Sequence, residues 1–222
     1  WSTLIDKASA AYYTHPPQQS IAIYEVAIQI ATRLQDPKLL AKTYYNLGRT
    51  YSGLNQLGKA VQSYEKSRGY FQEAGLERDL IYILSDLGTV SFILEDYPKA
   101  KDYSEQTIRL AERLRGSNAP PGAWPDAFGE AGALSTLGEL SMREGDFDQA
   151  IERLQKSLAL YQQLNLGKSY YDYYLVETYA ALGRVYTSAG DHVRALFFVN
   201  KALAIAKTLS HSEQVPNLLN SL

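Results

Sequence analysis

The 222-residue sequence holds no cysteine, one methionine and three histidines. Without thiols there are no disulfides, no thiolate metal sites and no cysteine nucleophile. A cysteine-free chain survives in either redox compartment, so a reducing cytoplasm is only the default expectation. His15, His192 and His211 fall in separate turns or linkers with no second ligand at helical spacing, so no metal ligand is assigned. No apolar run approaches the roughly eighteen residues of a membrane span. The opening Trp1-Ser-Thr-Leu-Ile-Asp-Lys7 lacks the basic start and apolar block of a signal peptide, and no membrane contact is expected. Neither sign of charge dominates: 22 lysines and arginines stand against 24 aspartates and glutamates. That balance excludes a bulk basic field for nucleic acid or anionic lipid, so recognition must be local.

The signatures of common enzymes are missing as well. There is no phosphate-cradling glycine loop and no Gly-x-Ser-x-Gly elbow. Ser63-Tyr64-Glu65-Lys66 has the Ser-x-x-Lys spacing of some acyl-transfer enzymes, but it falls in the middle of an expected helix with no companion motif. Glu95 and Asp96 sit at a turn, where helix capping and solubility account for them without acid or base chemistry. No catalytic residue and no cofactor are expected.

What the sequence does contain is a recurrence. Leu47-Gly48, Leu87-Gly88, Leu137-Gly138 and Leu182-Gly183 are four Leu-Gly pairs, and each glycine is followed twelve residues later by Ala60, Ala100, Ala150 or Ala195. The glycines are spaced by 40, 50 and 45 residues. A spacing that returns in this way marks a repeat array in which one helical hairpin stacks on the next. With 45% hydrophobic and 21% charged residues the chain has the composition of a folded protein. A glycine within a helix costs about 1 kcal/mol relative to alanine. Close contact between the two helices of a hairpin, glycine facing alanine, is the expected return.

Numbering each unit so that Leu-Gly occupies positions 7 and 8, the second unit reads Tyr44, Leu47, Gly48, Tyr51, Ala60, Tyr64 and the fifth Tyr179, Leu182, Gly183, Tyr186, Ala195, Val199. These tyrosines are expected mostly in the core. First helices are predicted near 2–13, 38–54, 77–94, 125–144, 169–189 and 213–222, and second helices near 17–35, 57–74, 97–115, 147–164 and 192–209. Asp96, Asp146 and Asp191 stand where an aspartate caps the second helix. The units run approximately 1–36, 37–76, 77–120, 125–166 and 168–210, with a partial unit over 212–222. One solenoid over 1–222 is expected, cut from a longer chain because Leu222 falls at position 7 of a sixth unit.

The aromatic, Leu-Gly, Tyr pattern on a first helix with Ala and an aromatic on the second resembles the tetratricopeptide repeat. The longer period and missing closing proline are similar to its long-repeat branch. The resemblance covers nearly the whole chain and implies an all-α, right-handed solenoid of stacked antiparallel hairpins. It also implies a protein or peptide partner held in a concave groove lined by the first helices, at positions 2, 5, 6, 9 and 12. Carried over by position, the groove residues are Lys42, Tyr45, Asn46 and Arg49, then Tyr82, Ser85, Asp86, Thr89 and Phe92, then Glu139, and finally Glu177 and Arg184. Lys42, Asn46 and Arg49 loosely match groups that hold a peptide carboxylate, but the next first helix lacks the basic residues of a full clamp. The alternative for these charges is an ordinary solvated helix face. Exposed aromatics are the better candidates, since a peptide would bury apolar side chains against Tyr45, Tyr82 and Phe92.

Two stretches exceed the period. Arg115 to Phe128 is rich in turn formers, and a loop is expected over about 115–127. Its Trp124 and Phe128 are either binding anchors or rings tucked back onto neighbouring helix ends, the second being preferred. Gly167 to Tyr174 reads as an extension of the fifth first helix, placing Tyr173 or Tyr174 on one face with Glu177 and Arg184. Interface contact and packing on the neighbouring unit are equally open for these tyrosines. Two functions follow: an interaction scaffold, or a sensor whose superhelix changes on ligand binding and switches an attached output domain.

Overall fold

The computed structural model describes residues 17–115, 124–164 and 170–209. Among them are nine α-helices and no strand: α1 (Pro17–Leu34), α2 (Pro37–Gly53), α3 (Leu57–Glu73), α4 (Glu77–Ile93), α5 (Tyr97–Arg115), α6 (Trp124–Glu144), α7 (Phe147–Gln163), α8 (Tyr170–Ser188) and α9 (His192–Leu209). Every bound that falls inside the described segments lies within one residue of the expected one. The helices expected near 2–13 and 213–222 lie outside the described residues. Each helix packs on its neighbours in sequence, α2 on α3, α4 on α5, α6 on α7 and α8 on α9 within hairpins, with α4 on α6 the closest first-helix pair between hairpins. The core is accordingly a string of small clusters along the array.

The recurring glycines sit at the hairpin contacts. A Cβ built on Gly88 would stand 2.7 Å from the Ser104 Oγ and 3.4 Å from the Ala100 carbonyl oxygen. On Gly138 it would stand 2.7 Å from Leu154 Cγ and 3.3 Å from the Ala150 carbonyl. The glycine thus rests on the side chain four residues beyond the paired alanine and on the alanine's own backbone. Ala60, Ala100 and Ala150 are wholly buried. A second small-residue contact recurs at positions 1 and 27: the Ser67 hydroxyl donates to the Ala41 carbonyl at 2.7 Å and the Ser157 hydroxyl to the Ala131 carbonyl at 2.8 Å. Of the framed tyrosines, Tyr64 and Tyr186 are buried, whereas Tyr44, Tyr51 and Tyr179 are half-buried.

The six turns that lie wholly within the described residues share one geometry. Gln35, Asn55, Gly75, Glu95, Gly145 and Gly190 all have positive φ, and in each case the following residue's N–H reaches back to the carbonyl five residues earlier. These are left-handed helix endings that satisfy terminal carbonyls. Asp36, Asp96, Asp146 and Asp191 then accept from the backbone N–H three residues on, at 3.1, 3.3, 3.0 and 2.9 Å. The first-turn proline, Pro98, follows its capping region as expected.

One contact between hairpins is built by glycines outside the repeating register. A Cβ on Gly129 would stand 2.5 Å from Ile81 Cγ2 and 3.0 Å from the Ile81 carbonyl, and one on Gly132 2.5 Å from the Ser85 Oγ. Both glycines are on α6 and both partners on α4, so their missing side chains let these two first helices lie against each other.

Candidate functional site: the first-helix face

The first helices α2, α4, α6 and α8 place polar side chains at every described junction between consecutive hairpins. At the α2/α4 junction, Asp86 faces Arg49 and accepts hydrogen bonds from the Tyr45 and Tyr64 hydroxyls. Burial pushes the Asp86 carboxyl up to about 6, opposed by the Arg49 charge and by those two hydrogen bonds. Arg49 also lies over the Tyr45 ring, 5.9 Å from its centroid, and Tyr45 packs on Tyr64 at 6.0 Å. At the α4/α6 junction the Thr89 and Thr136 hydroxyls meet at 3.3 Å. At the α6/α8 junction the Arg184 guanidinium donates to the Glu139 carboxylate as an ion pair. The cations expected at Arg49 and Arg184 therefore face carboxylates of the neighbouring hairpin.

Other expected residues are distributed along the same helices. Lys42 is exposed and Asn46 half-buried on α2. Ser85 is buried where Gly132 closes on it. Tyr82 is half-buried and its ring lies 6.2 Å from Phe128. Phe92 is half-buried at the far end of α4, 5.8 Å from Tyr97, with Arg143 above both rings at 5.4 and 4.9 Å. Glu177 is half-buried on α8.

The two long stretches meet in one aromatic cluster. Phe128 contacts Tyr161 at 5.6 Å and Tyr174 at 4.8 Å, both edge-on, and Tyr161 stacks on Tyr174 at 5.5 Å. Phe128 thus tucks back onto neighbouring helices and Tyr174 packs on the enlarged fourth hairpin. Tyr173 rests edge-on against Tyr174 but is 46% exposed, the most open aromatic of the cluster. The loop expected over about 115–127 is shorter than that: Arg115 ends α5 and residues 124–127 open α6, while residues 116–123 and the Trp124 side chain lie outside what is described.

Chemically, the face offers partly exposed aromatic rings between polar groups that are already paired across hairpins. Among the described residues no three His, Asp or Glu side chains gather as a metal would require, and no helix is long and apolar enough to cross a membrane.

The family model of the tetratricopeptide repeat matches residues 2–73 and 129–208. Tetratricopeptide repeat protein 29 of Trypanosoma brucei brucei is 24% identical over 88% of this chain and 39% of its own length. Regulatory protein RapG of Bacillus subtilis is 24% identical over 71% of this chain and 40% of its own. The chain spans about two fifths of the length of these curated relatives. Among solved structures, BtubC (BKLC) from P. vanneervenii superimposes with a TM-score of 0.68 at 25% identity, covering 95% of this chain and 81% of that one. The repeating register, the stacked hairpins and the matched residues agree: the chain belongs to the tetratricopeptide repeat family.

Proposed function

We propose that the first-helix face is a concave groove that holds a peptide or protein segment, and that the chain acts as an interaction scaffold without chemistry of its own. The observation that carries this reading is the pairing of Arg49 with Asp86 and of Arg184 with Glu139 across hairpin junctions. These pairs fix one helix against the next, and Lys42, Asn46 and the solvent-accessible parts of the Tyr82 and Tyr173 rings are the groups a ligand would meet. Affinity then comes mainly from apolar burial on rings, with polar groups setting register. Binding should tolerate salt, because both groove arginines are already paired with carboxylates of neighbouring hairpins. The test is selection of short linear peptides from a displayed library, followed by titration of the selected peptide. Tyr173→Ala and Tyr82→Ala should each weaken it about tenfold, consistent with loss of a ring contact of roughly 1–2 kcal/mol, while helicity and melting stay near wild type. Selected peptides that bind both variants as tightly as wild type would place recognition elsewhere.

A second reading is favoured by the similarity to RapG, whose name marks it as regulatory. In it, ligand binding alters the superhelix and so biases an output domain beyond these residues. Solution scattering with and without the selected peptide separates the two: a change in radius of gyration supports the sensor, and an unchanged profile supports the scaffold.

A further inference from the structure

The last described helix differs from α3, α5 and α7, the second helices of the three hairpins before it. Positions 18 and 22 of a hairpin point to solvent and carry Gly58 and Gln62 on α3, Pro98 and Asp102 on α5, and Asp148 and Glu152 on α7, all exposed. On α9 the same positions are Val193 and Phe197, 83% and 54% exposed. Stacking does not explain them. Positions 21, 25 and 32 reach the following first helix: Lys101 pairs with Glu144 at 3.8 Å, Gln155 donates to the Tyr186 hydroxyl at 3.4 Å and Gln162 to the Tyr179 hydroxyl at 3.0 Å, while Val61 and Ile151, also at position 21, pack on clusters that span two hairpins. On α9 position 21 is Leu196, whereas Val193 and Phe197 stand at positions 18 and 22, which stay exposed on α3, α5 and α7 although a hairpin follows each of them.

Charge is equally one-sided here. The helix His192–Leu209 contains Arg194, Lys201 and Lys207 and no acidic residue, whereas each of the other second helices described carries at least one Asp or Glu. Lys201 lies 5.6 Å from the centroid of the Phe197 ring, at the edge of the apolar patch. The nearby acid, Asp191, caps the helix and pairs with Arg194 at 2.5 Å, so it does not offset Lys201. An exposed apolar pair with a lysine at its edge, on a helix without acidic residues, is the complement of an amphipathic segment with apolar residues on one face and carboxylates beside them.

We infer that Val193, Phe197 and Lys201 on the outer face of α9 form a second docking surface, separate from the groove, for an acidic amphipathic helix of a partner protein. The apolar face of that helix would cover Val193 and Phe197, and its carboxylates would pair with Lys201.

The full 222-residue chain is titrated with two synthetic helical peptides, identical in their leucine stripe and differing in glutamate or lysine at the flanking positions, and with phosphatidylserine vesicles. The glutamate peptide should bind, the lysine peptide at least tenfold more weakly, and added salt should weaken the complex. Val193→Ser with Phe197→Ser should cost at least tenfold with unchanged circular dichroism. Lys201→Glu, which leaves the apolar pair in place, should also lower affinity for the glutamate peptide. No binding of the glutamate peptide, equal binding of both peptides, or binding indifferent to these variants would overturn the inference. So would vesicle binding, or dimerisation, that the variants abolish in the absence of peptide binding: the first would make the patch a lipid contact and the second a self-contact. Because Tyr82 and Tyr173 play no part on α9, failure here leaves the groove reading standing.

Discussion

Glu95 holds its backbone at φ 61°, in the left-handed region, at the turn position that Gly145 and Gly190 fill at 82° and 80°. An L side chain there costs about 1–2 kcal/mol that glycine does not. Glu95→Gly should therefore raise stability by about 1 kcal/mol in denaturant unfolding, and a loss would mean that the carboxylate contributes more than its strain. Asp86 makes a prediction of different kind. Its folded-state carboxyl titrates near 6, above the roughly 3.9 of an unfolded aspartate, so the native state binds that proton more tightly. Its contribution to stability is whole below about pH 4 and is lost as pH rises through 6. Other carboxylates impose slopes of their own, so the informative quantity is the melting temperature of wild type minus that of Asp86→Asn. That difference should fall between pH 4 and pH 7, and a constant difference would show that burial of Asp86 does not bias its protonation.

At the level of helices, the same substitution should have opposite signs at two glycines. Gly69 lies on α3 with nothing within 4 Å of a would-be Cβ, so Gly69→Ala should gain about 1 kcal/mol from helix propensity. Gly129 lies on α6 against the Ile81 carbonyl, and Gly129→Ala must push α6 off α4 at a cost of about 1–3 kcal/mol from overpacking. Paired unfolding curves decide it, and equal signs would show that α6 does not press on α4. Glycine's role at these places was unequally readable from sequence. Gly48, Gly88, Gly138 and Gly183 repeat, so their contact with the second helix could be inferred from register. Gly129 and Gly132 occur in one hairpin and obey no period. For the same reason Ser85 has the position of a groove residue yet is buried under Gly132: angular position on one helix is legible in sequence, whereas the approach of the next hairpin is not. The Arg49–Asp86 pairing was likewise hidden, because it depends on rotation between hairpins. Helix starts were legible where an aspartate caps them, as at Asp96, Asp146 and Asp191, whereas the helices after Gln56 and Leu76 begin without a side-chain cap.

Across the described array, stability is distributed, since each hairpin touches its neighbours and the buried clusters follow one another along the chain, the largest spanning α2 to α5. In such a quasi-one-dimensional protein, damage spreads by nearest-neighbour coupling and fades with distance. Gly88→Leu would drive a branched side chain into Ser104 and the Ala100 carbonyl, breaking the α4/α5 contact. A single shared core would respond by losing protection everywhere together. Here, hydrogen exchange should instead accelerate most in α4 and α5. The effect should carry to α6, which lies on both helices, and to α3, which packs on α4, and α8 and α9 should keep protection close to wild type. Uniform acceleration through α9 would show that the hairpins fold as one unit. Localised loss would mean that the groove and the outer face of α9 can be disabled separately, as two docking surfaces on one array require.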